Sequence, residues 1–204
     1  MFMKIDMKYL LASFLIVVSG MTHAQNTSLL DSMYADFASG CVTLDFSYSI
    51  KTGASDILGK GTVAFQDNAY HMTGNGIEIC CDGKDVWLMD PKAKEVYIEA
   101  VGEGTDAFLQ NPALLFTGLK DNFSVSGVKD GHIFELVPKV DCGIDECTVR
   151  MNKDGNLSSG EFIMSEGQIV SVDVSAIKKS DRKDISSFRP TRSFDSSWMV
   201  TDLR

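Results

Sequence analysis

Residues 42–50 read VTLDFSYSI, and their alternation indicates the fold class of the whole chain. Apolar residues fill every second position from Val42 to Ile50, and polar residues fill the positions between them. A period of two places the apolar side chains on one face of a β-strand. Similar short segments follow along the chain, separated by turn dipeptides such as Asp82-Gly83, Asp130-Gly131 and Asp154-Gly155. The pattern predicts a mainly β fold with an antiparallel meander of about ten to eleven strands.

Two apolar segments break this alternation and predict helices. Residues 28–38 (SLLDSMYADFA) have apolar residues at helical spacing and end before Gly40. Residues 102–120 (GEGTDAFLQNPALLFTGLK) contain Asn111-Pro112, a favourable helix start, followed by Leu114, Leu115 and Phe116. Such segments need an apolar surface to cover. We therefore expect them to lie across the concave face of the sheet and to form a helical lid.

Residues 1–24 have the features of a secretory signal peptide. Lys4 and Lys8 precede an apolar run at residues 9–20, and Thr22-His23-Ala24 provides a small residue at its exit. This run is shorter than the roughly twenty apolar residues that cross a bilayer, so a membrane anchor is the less favoured alternative. The pattern predicts an exported protein whose residues 25–204 form a single domain.

The mature chain is acidic. Cleavage after residue 24 removes Lys4, Lys8 and Asp6 and leaves 17 basic and 27 acidic residues, a net charge of −10. Phosphate backbones and anionic membrane surfaces repel such a chain. We therefore expect no nucleic-acid partner and no strong electrostatic attachment to a membrane.

Cysteine spacing favours one disulfide. Cys142 and Cys147 enclose four residues between two strand-like segments, and an exported protein can hold such a bridge as a structural link. Cys80 and Cys81 are adjacent, so in a strand they face opposite ways. One of them could reach Cys41, but an odd number of cysteines leaves at least one thiol unpaired.

The sequence offers no catalytic or metal-binding constellation. It lacks a Gly-x-Ser-x-Gly motif, and the two histidines of the mature chain, His71 and His132, lie far apart in different strand contexts. Asn152, Asp154 and Gly155 fall at calcium-loop positions, but strand-like flanks favour a hairpin turn there. We predict no enzyme, no cofactor and no metal.

A hollow under the helices would suit an acyl chain. The apolar strands could simply fill a closed core, but the two apolar helical segments and six methionines after the leader favour an adaptable cavity. Strand alternation and the lid segment select the expected lining, which is Phe46, Tyr48, Val63, Phe65, Tyr70, Met72, Val86, Leu88, Ile98, Leu115 and Phe116.

Several motifs resemble one known family. Residues 82–98 (DGKDVWLMDPKAKEVYI) are similar to the central segment of the periplasmic outer-membrane lipoprotein carriers, LolA and its relative LolB. Residues 134–139 (FELVPK) resemble a later strand of that family, residues 188–190 (FRP) its closing segment, and Asn111-Pro112 the start of its lid. The resemblance extends loosely over nearly all of the mature chain.

The resemblance implies a half-open antiparallel barrel covered by helices, without a cofactor. It also implies a function: accepting acylated lipoproteins from an inner-membrane lipoprotein-releasing transporter and passing them to an outer-membrane receptor. The chain departs from the family at residues 65–69 (FQDNA), which replace a Lys-Arg-Pro run whose arginine helps to hold the lid shut. A paralogue for another lipid, or an envelope lipid-binding sensor or interaction module on the same scaffold, is the alternative.

Overall fold

The computed structural model describes residues 27–53, 55–102 and 118–204. Within these ranges the helices are α1 (Ser28–Ala38), α2 (Leu119–Asn122) and a 3-10 turn (Ile185–Phe188). The strands are β1 (Cys41–Thr52), β2 (Ser55–Gln66), β3 (Ala69–Gly74), β4 (Ile77–Cys81), β5 (Asp85–Asp90), β6 (Glu95–Ala100), β7 (Phe123–Lys129), β8 (Ile133–Pro138), β9 (Ile144–Met151), β10 (Leu157–Met164), β11 (Ile169–Ser180) and β12 (Met199–Asp202).

All of these strands belong to one open sheet. Their order is β12-β6-β5-β4-β3-β2-β1-β11-β10-β9-β8-β7, and only the β12–β6 pair is parallel. The prediction of a mainly β, antiparallel fold is confirmed. The described residues form twelve strands, above the predicted ten to eleven, because the C-terminal segment adds β12 to one edge. Strands β7 and β12 end the sheet, so the described strands do not close a barrel. Of the expected lid segment, residues 102–120, the part from 103 to 117 lies outside the described residues.

The sheet has an inner face and an outer face, set by the alternation of β1. The inner face carries Val42, Leu44, Phe46 and Tyr48, and directly opposite them on β2 lie Phe65, Val63, Gly61 and Gly59. The outer face carries the polar residues between them. One continuous apolar cluster spans the inner face from β4 to β7 in the order of the sheet, which explains why the β1 pattern alone predicts the fold class.

Helix α1 packs on the inner face and buries Leu30, Met33 and Phe37. The ring of Phe37 meets the ring of Phe65 edge to face, with 5.5 Å between centroids. Each buried side chain of this size contributes about 1.5–3 kcal/mol, so the three together anchor the helix. On its exposed side, Lys120 of α2 donates to Asp31 at 2.7 Å.

The C-terminal segment crosses the outer face. Phe188 packs against Cys41 and Ala69, and further along Phe194 and Trp198 pack against a cluster built on β4, β5 and β6. This cluster comprises Cys80, Met89, Val96 and Ile98, with Trp87 beside them. Both faces of this end of the sheet therefore carry apolar side chains, unlike β1, whose outer face is polar.

An ion pair fixes this segment at the β4–β5 turn. Asp82 has only 1% of its side chain exposed and accepts from Arg189 at 2.7 Å and from the backbone N–H groups of Lys84 and Asp85. Burial alone would raise the pKa of Asp82, but the hydrogen bonds from Asp85 and Lys84 and the guanidinium of Arg189 outweigh it and hold the pKa below its ordinary value.

The predicted Cys142–Cys147 disulfide is not present in the structure, in which all five cysteines are free and buried. Strand β9 begins at Ile144, so Cys147 lies within an extended strand and Cys142 lies in the segment that precedes it. Cys147 instead packs in the inner-face core, opposite Leu136 and Phe162.

No helix within the described residues is long and apolar enough to span a membrane.

Candidate functional site

Helix α1 and the cavities of the inner face occupy different parts of the sheet. Leu30 and Tyr34 of α1 lie beside Phe123, Val125 and Leu136, at the end of the sheet formed by β7 and β8. Two apolar cavities lie toward the other end, and neither lining includes a residue of α1. One end of the inner face is therefore filled by the protein's own helix, whereas the other presents apolar hollows.

The first cavity has a volume of about 500 Å³. Strands β1, β3, β4 and β11 supply its apolar walls, and Lys60 and Asn75 are its polar residues. The hydroxyl of Tyr48 accepts a hydrogen bond from Nδ2 of Asn75 at 2.9 Å, which leaves the ring of Tyr48 facing the hollow. The full lining is Phe46, Tyr48, Ile50, Lys60, Met72, Gly74, Asn75, Ile77, Ile79, Val170 and Val172.

The second cavity has a volume of about 380 Å³ and adjoins the first at Ile79, which lines both. Strands β3 to β6 form it, and Glu99 is its one charged residue. Its full lining is Tyr70, Ile79, Val86, Leu88, Tyr97, Glu99 and Ala100. Both volumes fall within the range of small-molecule sites, and both hollows combine apolar walls with a few polar groups, as ligand sites commonly do.

Two glycines of β2 make room for the aromatic walls. A Cβ atom at Gly59 would lie 2.4 Å from the ring of Tyr48, and one at Gly61 would lie 3.1 Å from the ring of Phe46 and 2.4 Å from the carbonyl oxygen of Thr73. Because neither position has a side chain, both rings can lie across β2 on the inner face. Strand β1 thus supplies the aromatic residues of the first cavity, and the two glycines of β2 leave the space that their rings occupy.

The structure gathers six of the predicted lining residues around these hollows. Phe46, Tyr48 and Met72 line the first cavity. Tyr70, Val86 and Leu88 line the second cavity. Val63 and Phe65 lie on the same face but are buried in the core, with 2% and 0% exposure. Leu115 and Phe116 lie outside the described residues.

The register of β6 places Ile98 on the outer face and not in the predicted lining. It pairs with Trp87 on the outer face, whereas its neighbour Tyr97 pairs with Leu88 on the inner face. Tyr97 therefore takes the place that the alternation pattern assigned to Ile98. The predicted lining also missed five branched apolar residues of the first cavity on strands that the sequence did predict, namely Ile50, Ile77, Ile79, Val170 and Val172.

Burial keeps Tyr70 and Cys147, two ionisable residues of the inner face, in their neutral forms. Burial raises the pKa of Tyr70 well above its ordinary range, and the nearby Cys81 and Cys80 act in the same direction. Burial likewise raises the pKa of the Cys147 thiol to about 12. At neutral pH these side chains present uncharged surfaces to the interior, which favours an apolar occupant.

Comparison with known proteins identifies the family of this scaffold. The family described as outer membrane lipoprotein carrier protein LolA matches residues 70–191, more than half of the chain. The outer-membrane lipoprotein carrier protein of Shewanella sp. (strain MR-4) is 30% identical over 152 residues, which cover 71% of this chain and 68% of that protein. The chain belongs to the LolA family. A second such carrier, from Shewanella sp. (strain MR-7), is 29% identical over 166 residues, covering 78% of this chain and 75% of the relative.

A solved structure shares the fold of this chain at much lower sequence identity. An uncharacterized conserved protein from Thermus thermophilus superimposes with a TM-score of 0.52 and 10% identity, covering 86% of this chain and 98% of the other. At this identity the likeness concerns the fold alone.

The β2–β3 turn is where this LolA-family member departs from the motif expected at residues 65–69. Gln66 is buried; its side chain donates to the carbonyl oxygen of Lys183 at 3.0 Å and accepts from the N–H of Lys183 at 2.8 Å. Asp67 pairs with Arg182. The turn is therefore fastened to the segment that leads onto the outer face. No basic residue occupies the turn.

Proposed function

We propose that this chain is a periplasmic lipoprotein carrier that holds acyl chains in the two adjoining inner-face cavities and catalyses no reaction. The observation that carries the proposal is the pair of apolar hollows that meet at Ile79, on a scaffold of the LolA family. An acyl chain is an unbranched hydrocarbon, and it needs an elongated apolar surface rather than a set of directed polar contacts.

Burial of the acyl chain's apolar surface supplies the driving force for binding. Each methylene transferred from water to an apolar site contributes about 0.8 kcal/mol, so several methylenes along the two cavities give substantial affinity. The flexible thioether of Met72 and the branched side chains around Ile79 can adjust to chains of different length. Because the contacts are apolar and carry no directional bonds, release into another apolar site costs little, as a carrier requires.

We propose that the chain transfers lipoproteins in the way that the names of its relatives, outer-membrane lipoprotein carrier proteins, suggest. An inner-membrane lipoprotein-releasing transporter would load the protein, and an outer-membrane receptor would unload it. A net charge of −9 for the full chain disfavours direct contact with anionic lipid, so protein partners rather than the bilayer surface would govern loading and release. The signal peptide at residues 1–24 would place the mature chain in the periplasm.

Uptake of a synthetic triacylated lipopeptide with a fluorescent label tests the binding step. The mature protein should take it up saturably. Phe46→Glu should abolish uptake because Phe46 lines the first cavity, whereas the matched variant Ser47→Glu should bind normally because Ser47 is exposed on the outer face. Circular dichroism checks that both variants are folded. Absence of saturable uptake by the wild type, or an equal loss of uptake in both variants, would contradict the binding proposal.

Isolation of native complexes from the periplasm separates a carrier from a sensor on the same scaffold. A carrier should co-purify with acylated proteins of many sequences, which metabolic labelling with an alkyne fatty acid would reveal. Recovery of one membrane signalling protein, without acylated cargo, would favour the sensor and overturn the carrier proposal.

A further inference from the structure

The outer face carries a second group of chemically active side chains, remote from the inner-face cavities. His71 of β3 lies directly opposite Cys80 of β4, and Glu78 lies two residues before Cys80 on the same face. Nε2 of His71 is 3.0 Å from Oε1 of Glu78. One ligand atom from each of the three residues lies within 4.8 Å of the other two. From these juxtapositions we propose that His71, Glu78 and Cys80 form a binding site for one borderline-soft divalent cation of the Zn²⁺ class.

The chemistry of the three donors selects that class of metal. An imidazole nitrogen, a thiolate sulfur and a carboxylate oxygen are the ligands that Zn²⁺ and Co²⁺ accept in tetrahedral sites. Bonds of about 2.0–2.3 Å in a tetrahedron place neighbouring ligand atoms about 3.3–3.8 Å apart. Nε2 of His71 and Oε1 of Glu78 are 3.0 Å apart, and the three ligand atoms lie within 4.8 Å of one another, so the proposed site requires only small side-chain movements to reach these separations. Three protein ligands leave a fourth position for water.

The surroundings allow the cation to enter and be held. Half-buried His71 leaves 38% of its side chain exposed and Glu78 leaves 15%, whereas Cys80 is buried at 1% exposure beneath them. An incoming cation would meet the imidazole and carboxylate first. Cys80 would then lose its thiol proton to solvent and bind through sulfur, as thiol ligands do.

Arg192 pairs with the carboxylate of Glu78, but through a different oxygen from the one that His71 contacts. Its guanidinium donates to Oε2 of Glu78 at 2.5 Å, whereas His71 contacts Oε1. The carboxylate thus presents a different oxygen to each side. With 38% of its side chain exposed, Arg192 can keep its bond to Oε2, or swing into solvent, when Oε1 binds a cation.

Both tryptophans of the chain report on this site. Trp87 lies directly opposite Cys80 on β5, and Trp198 packs in the same outer-face cluster beneath Arg192. Co²⁺ quenches nearby indole fluorescence, and a cobalt–thiolate bond adds a charge-transfer absorption band in the near ultraviolet. One titration with Co²⁺ therefore measures affinity through tryptophan and identifies the sulfur ligand through absorbance.

The test uses the mature chain without a histidine tag, reduced and treated with chelator. We expect saturable fluorescence quenching with one equivalent of Co²⁺, a thiolate band, and displacement of both signals by Zn²⁺. His71→Ala should weaken binding more than about tenfold, and Cys80→Ser should remove the band. His71 is half exposed, so its replacement keeps the test valid if Cys80→Ser fails to fold.

The matched controls are His132→Ala, a histidine toward the opposite end of the sheet, and Cys81→Ser, whose side chain faces inward. Both should bind Co²⁺ like the wild type. The proposal is overturned by the absence of saturable quenching, by a titration that His71→Ala leaves unchanged, or by equal losses in the controls. In those cases the three residues serve only as an ion-pair network.

Discussion

Placing one carboxylate at the junction of the two cavities probes the proposed acyl site most sharply. Ile79 is half-buried on β4 and is shared by both linings, so Ile79→Glu affects both hollows at once. In the empty protein the carboxylate can hydrate. An acyl chain that fills the cavities must strip that water or force the carboxyl group to take up a proton.

Protonation of the new carboxyl group sets an upper limit on the loss of affinity. Protonating a glutamate of ordinary pKa, about 4.3, costs about 3.7 kcal/mol at pH 7, equivalent to about 500-fold. At pH 5 the same protonation costs about 1 kcal/mol, or roughly sixfold. Ile79→Glu should therefore bind up to several hundred times more weakly than the wild type at pH 7 and recover most of that loss at pH 5.

The assay is equilibrium titration of the fluorescent triacylated lipopeptide at both pH values. Ile79→Gln, which has a similar shape and no titrating group, should lose less affinity and show no recovery at pH 5. Ser47→Glu on the outer face should bind like the wild type at either pH. The reasoning is refuted if Ile79→Glu binds normally at pH 7, or if its deficit is the same at pH 5.

Other predictions concern stability and thiol chemistry. Gly61→Ala should lower the free energy of unfolding by about 1–3 kcal/mol, because the new Cβ would lie 2.4 Å from the carbonyl oxygen of Thr73. Gly53→Ala is the control, because a Cβ there would have no atom within 4 Å and should leave this free energy unchanged. Urea titration measures the free energy of unfolding of both variants. Arg189→Ala should cost about 1–3 kcal/mol at pH 7. Because the pKa of Asp82 is lowered in the folded protein, its ionisation contributes stability that is complete above about pH 4 and is lost as the pH falls. Arg189→Ala should therefore lose less stability than the wild type between pH 5 and pH 3. Equal acid sensitivity of the two proteins would contradict this prediction. Cys147, whose burial raises the thiol pKa to about 12, should resist alkylation at pH 8 in the native protein and react after unfolding, as peptide mass spectrometry would show; rapid labelling of native Cys147 is the contrary result.

The sequence predicted best where one face of a strand is polar. In β1 the alternation from Val42 to Ile50 has a single solution, because only one face can be buried, and its pairing with β2 follows that pattern. The hairpin at residues 152–156 was also predictable. Oδ1 of Asn152 accepts from the N–H groups of Asp154 and Asn156, a local turn that asparagine favours whatever the tertiary context.

Prediction was weaker where both faces of a strand are covered. In β6, Val96 and Ile98 point to the outer face beneath Phe194 and Trp198, whereas Tyr97 points to the inner face. The C-terminal segment that covers the outer face lies almost one hundred residues further along the chain. Alternation alone could not assign these residues to their faces, and the lining set therefore included Ile98 in place of Tyr97.

Residues brought together by a hairpin were missed for a related reason. The number of histidines and the spacing of cysteines along the chain both argue against a metal site, because neither reveals which residues meet across a strand pair. His71 and Cys80 meet only because β3 and β4 pair in a particular register. Testing the directly opposed pairs of a predicted hairpin would have found them.

Photochemical labelling tests the central claim most directly. A triacylated lipopeptide with a diazirine at the end of one acyl chain is bound and irradiated, and the adducts are mapped to single residues by fragmentation mass spectrometry. The account predicts adducts on inner-face residues such as Met72, Ile79 and Leu88, and none on their outer-face neighbours Thr73, Glu78 and Met89. Labelling of both faces alike, or of the outer face alone, would contradict an acyl site in the inner-face cavities.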